Sequence, residues 1–192
     1  MNDKPEAIIR LQFSTSTAWA SAIIRRICHS PFSHVDIVMP PDGKTLLGAS
    51  DSGDCPVVRG NPNGVAVRPL DYHPFGIRRI VEVGCTKDVS DKFYACAEDQ
   101  VGKPFDHEAM HAFLANADTP ILPRDWRDNG MWFCMEMVIY CLEQAGLFPY
   151  PLIVTKARIS PGDGLLLLNP YILNIDTFWN PAKGLILGAG EK

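Results

Sequence analysis

The chain has 192 residues, 46% of them hydrophobic and 21% charged, and its formal net charge is −4. This balance fits one globular domain with a sizeable core and excludes a disordered chain. The basic pairs Arg25–Arg26 and Arg78–Arg79 are too short for a nucleic-acid footprint, so no nucleic-acid partner is expected.

The N-terminal stretch MNDKPEAIIRLQF mixes charges with a proline and holds no apolar run of signal-peptide length. Within it AIIRLQF (7–13) reads as a first strand, and STST (14–17) offers N-caps for a helix from about Ala18 to Cys28. Ile23, Ile24 and Ile27 of that helix are expected to face the core. HVDIVM (34–39), a PPDG turn (40–43) and KTLLGAS (44–50) read as a hairpin. Residues 50–64 are rich in Gly, Pro and Asp and read as a long loop, followed by strands at VAVRPL (65–70) and IRRIVEV (77–83). Ser90 is the expected cap of a helix over 91–101 that Gly102 and Pro104 close, and Asp106 the cap of a helix through about Ala115.

A connecting loop over 115–130 carries Trp126 and the mixed charges of Arg124–Asp128. It leads into a helix that ends at Gly146, a strand at LIVTKA (152–157), and a turn and strand at ISPGDGLLLL (159–168). The apolar run GLLLLNPYIL (164–173) is interrupted by Asn169 and Pro170 and is too short to span a bilayer. Helices and strands interleave irregularly with hairpins, which predicts an α+β class in a single domain over 1–192. No membrane span is expected. A cytoplasmic location follows, with export by a route that needs no signal left open.

The six cysteines form no CxxC pattern and outline neither a disulfide framework nor a thiolate zinc site, so no cofactor is expected. Two of them lie on the helix MWFCMEMVIYCLEQAG (131–146). At helical spacing Cys134, Met137, Val138, Cys141 and Ala145 share a core-facing side, while Glu136 lies elsewhere as an acid at the helix start. Cys141 sits mid-helix among apolar neighbours, where burial makes a thiol inert. Cys134 sits in the first turn, where free backbone N–H groups favour a thiolate and can hold an oxyanion. A thiol nucleophile needs a base. His34 begins a strand on which Val35, Ile37 and Met39 take the opposite face, so it shares its own face with Asp36.

The order of FSHVDIV (32–38), GKPFD (102–106), WFCMEMVIYCLEQAG (132–146) and ISPGD (159–163) resembles the permuted NlpC-like papain fold, in its YiiX-like cysteine peptidase branch. The resemblance covers residues 7 to about 167 and implies an antiparallel sheet packed on the helix that carries the cysteine. It implies Cys134 as nucleophile and His34 as general base, with histidine preceding cysteine in the chain. It also implies a carboxylate, commonly glutamate, in the strand after the histidine. Here Gly48 stands at that place, which leaves Ser50, Asp51 and Asp36 as candidates to orient the imidazole. The implied substrates are amides, among them peptidoglycan stem peptides, or acylated small molecules.

A rival motif lies in DHEAMHAF (106–113), where His107, Glu108 and His111 have the His-Glu-x-x-His spacing of zinc metallohydrolases. Against it stand a position in the first helical turn, Ala109 after the glutamate, and no evident third ligand. A third reading, a papain-fold binding module without turnover, draws on Gly48 at the carboxylate position.

Overall fold

The computed structural model describes residues 5–16, 19–51, 53–108, 110–111, 130–150, 152, 159–180 and 184–186, with only the backbone of 175–180 and 184–186. Most of the connecting loop with Trp126 and Arg124–Asp128, and all but Leu152 of the strand expected at 152–157, lie outside the described residues.

The strands are β1 (Ala7–Ser16), β2 (His34–Val38), β3 (Thr45–Asp51), β4 (Arg59–Gly60), β5 (Asn63–Pro69), β6 (Phe75–Cys85), β7 (Ile172–Asn180) and β8 (Gly184–Ile186). The helices are α1 (Trp19–Ile27), α2 (Lys87–Glu98), α3 (Cys134–Gln144) and α4 (Pro161–Leu168). The described strands pair antiparallel in the order β4-β5-β3-β2-β1-β6-β7-β8. The chain is therefore α+β, with an antiparallel sheet on which α3 packs through β2 and β3.

Strand alternation builds the main core: Ile9, Leu11 and Phe13 of β1 join Val35, Ile37 and Leu47 beneath α3. Each such buried side chain contributes about 1.5–3 kcal/mol. Helix α3 is buried nearly all round, through Met135, Met137, Val138, Ile139, Cys141 and Leu142. Glu136 is only 1% exposed, so it is not the solvated acid its place in the first turn implied. Val38, Leu46, Leu70, Tyr72 and Ile80 form a smaller cluster apart from that core. Asp36, on the strand face opposite Val35 and Ile37, is fully buried.

Three local expectations are corrected. Residues 161–168 form helix α4, not a strand. Ser160 accepts from Asp163 N–H at 3.1 Å, the Asp163 carboxylate accepts from Ser160 N–H at 3.0 Å, and Pro161 starts the helix. Helix α2 is capped by Thr86, whose Oγ1 accepts from Val89 N–H at 3.3 Å, and Ser90 is buried inside it. In α1 the buried residue is Ser21, while Ile23, Ile24 and Ile27 stay outside the core clusters. Serines, rather than apolar packing, tie this helix down: Ser21 Oγ lies 2.6 Å from Ser33 Oγ and accepts from Ser16 N–H at 3.2 Å.

Candidate active site

Cys134 is the first residue of α3 and His34 the first of β2. Both line a cavity of about 510 Å3 set where β1 and β3 end and β2 begins. The helix start follows from Phe133, whose extended backbone makes it the N-cap although its side chain caps nothing. Met137 N–H to Phe133 O, at 3.1 Å, is the bond that opens the ladder. The N–H groups of residues 134–136 therefore precede it and point out of the helix start beside the thiol.

On the opposite wall, His34 Nε2 lies 2.9 Å from Asp36 Oδ1 and 3.3 Å from the Tyr72 hydroxyl. Tyr72 also donates to Asp36 Oδ2 at 3.2 Å. This contact to a carboxylate puts the Nε2 proton on the Asp36 side and leaves Nδ1 as the nitrogen for chemistry. Burial pushes the Tyr72 phenol well above its ordinary range, reinforced by Asp36, so Tyr72 serves the carboxylate as a neutral donor.

Burial disfavours the charged His34 ring, but attraction to Asp36, their hydrogen bond and the interaction with Cys134 together outweigh it. The result is a pKa pushed up to about 10 from the usual 6.5. The imidazolium therefore persists at neutral pH, in the cavity that Cys134 also lines. Because the ring binds its proton more tightly when folded, its contribution to stability is complete below pH 6.5 and is lost as pH rises toward about 10. Urea midpoints of the wild type are expected to fall across this window more steeply than those of His34→Gln. Parallel curves would contradict the assignment.

Gly48 explains how Asp36 reaches the ring. The β2–β3 register pairs Ile37 with Leu47 and Val38 with Leu46, so Gly48 stands opposite Asp36 and Ser50 opposite His34. A β-carbon on Gly48 would collide with Asp36 Oδ1 and lie 3.1 Å from its Cγ. The missing side chain is the space the carboxylate occupies. The buried Arg68 guanidinium holds this spot by donating to Gly48 O at 3.0 Å, with its carbon 5.5 Å over the Tyr72 ring.

Among the other predicted residues, Ser50 lines the cavity on β3. Asp51 lies beside His107 instead of His34, with Oδ1 3.7 Å from His107 Nε2. His107 and His111 border the same cavity and Glu108 does not, and all three are exposed. No three His, Cys, Asp or Glu side chains among the described residues are gathered to hold a metal ion. No helix among them is long and apolar enough to cross a membrane. Sequence reasoning missed Tyr72, which sits in a turn without any periodic signal. It also missed the purpose of Gly48, which counting the hairpin register back from the PPDG turn would have exposed.

Fold and site together define an α+β protein with a thiol and an imidazole on one cavity at the end of an antiparallel sheet, the imidazole bonded to a carboxylate. No protein-family model matches the chain, and no curated protein matches it.

Proposed function

We propose that this protein is a cysteine hydrolase of permuted papain-like architecture, acting on an amide or ester through an acyl-enzyme. One observation carries the reading: the thiol at the start of α3 and His34 line one cavity, and His34 Nε2 is held by a buried aspartate. The Cys134 sulfur attacks the carbonyl, and backbone N–H groups at the start of α3 receive the oxyanion. The His34 imidazolium gives its Nδ1 proton to the departing amine or alcohol. The neutral ring then takes a proton from water as that water cleaves the thioester, and the resting pair returns. Asp36 keeps the ring in the tautomer and orientation that both steps need.

Alkylation by iodoacetamide, read peptide by peptide, tests this. Cys134 is expected to react well ahead of Cys141, whose thiol is raised by its contact with Cys96 and by burial. It should also precede Cys28, pushed up to about 11 by burial and nearby Asp163. Cys96, lowered through Cys141, serves as an internal reference. His34→Gln should slow Cys134 about tenfold or more while leaving Cys96 unchanged. A Cys134 as inert as Cys141 would remove the nucleophile from the proposal.

A further inference from the structure

Helix α1 presents an apolar flank that the described protein does not cover. Trp19 is 77% exposed and Ile23 40% exposed, an arrangement that costs solvation free energy unless something else occupies it. These two residues and Ile24 line the cavity that contains Cys134 and His34, and Phe75, Phe105 and Met110 continue the apolar wall. The flank is therefore not a separate surface. Whatever lies along it is within reach of the thiol. Besides the His34 ring, which the chemistry uses, Asp51 is the one carboxylate on the described lining, and it faces His107. A substrate with ionised groups along its chain would find no lysine or arginine among the described lining residues. The volume, about 510 Å3, falls in the range of roughly 300–1,000 Å3 typical of small-molecule sites.

We infer that the cavity seats the apolar chain of an acyl group, so that the substrate is an ester or amide of a medium- or long-chain carboxylic acid. The inference rests on the hydrolase reading for its chemistry: the carbonyl faces Cys134 and the chain runs along α1 past Ile24 and Ile23 to Trp19. The thioester forms on Cys134 as the alcohol or amine leaves with the His34 proton. Water then releases the acid and restores the thiol.

The test uses the full chain with p-nitrophenyl acetate, butyrate and octanoate, with Cys134→Ala as the blank. Cys134-dependent kcat/KM is expected to rise at least about tenfold from acetate to octanoate, since each buried methylene favours binding. Trp19→Ser and Ile23→Ser should bring that ratio down toward one, and both positions are exposed enough for the fold to tolerate them. In parallel, calorimetric titration of Cys134→Ala with N-octanoyl glycinamide should show saturable binding that the added Trp19→Ser weakens. Cys134-dependent hydrolysis with no chain-length preference and no binding would overturn the acyl seat and leave the hydrolase intact. Binding that depends on Trp19 without any Cys134-dependent turnover would keep the seat and remove the hydrolase. Loss of both signals removes both.

Discussion

Asp36→Asn is expected to reduce Cys134-dependent kcat/KM by about 100- to 10,000-fold while the protein stays folded, the scale seen when an orienting carboxylate becomes an amide. Two consequences of the geometry combine. The amide can present its nitrogen to His34 Nε2, which favours the wrong tautomer and misdirects Nδ1. It also removes the negative charge that, with the interaction of Cys134, holds the ring pKa near 10 against burial. Once that charge is gone, desolvation prevails and the ring pKa falls. The alkaline limb of the pH–rate profile, expected near 10 in the wild type, should move toward neutrality. A profile of kcat/KM from about pH 5 to about pH 11 reads both effects at once. A variant with wild-type rate and an unmoved alkaline limb would show that Asp36 is packing and nothing more.

Gly48→Ala is the second large effect, although the residue touches no substrate. Its β-carbon would take the place of Asp36 Oδ1. Asp36 cannot simply swing aside, because it is buried and bonded to both His34 and Tyr72. The substitution should cost about 1–3 kcal/mol of stability by overpacking and lower activity about as far as Asp36→Asn does. The informative experiment is the exchange Asp36→Gly with Gly48→Glu, which returns the carboxylate to the strand where the family resemblance expects it. Each single change should abolish most activity, and the double variant should recover at least about tenfold over either. A Gly48→Ala variant with full Cys134-dependent activity and an unchanged His34 titration would refute the account of this glycine.

The sequence by itself was enough for strands β1, β2, β3, β5 and β6, because alternation and turn chemistry act locally. AIIRLQF, HVDIVM, KTLLGAS, VAVRPL and IRRIVEV all fall on observed strands, and the PPDG turn lies between β2 and β3. It also determined the chemical inventory: a cysteine in the first turn of an apolar helix, and a histidine sharing a strand face with an aspartate. A local cap can also outweigh a run of apolar residues. The capping box Ser160–Asp163 starts α4 in a run of leucines that looked like a strand.

What only the tertiary structure decided involves contacts between segments distant in the chain. Cys134 and His34 lie a hundred positions apart, and no periodicity links them. Which of Asp36, Ser50 and Asp51 holds the ring depended on register and on the space left by Gly48 across the strand pair, a property of two strands and not of either. Tyr72 enters from a turn that carries no pattern. The amphipathicity of α1 predicted a buried face, yet the fold turns that face to the cavity, because its position is set by serine contacts with β1 and the segment before β2. Helical periodicity shows that a helix has an apolar side, and only packing determines what that side meets.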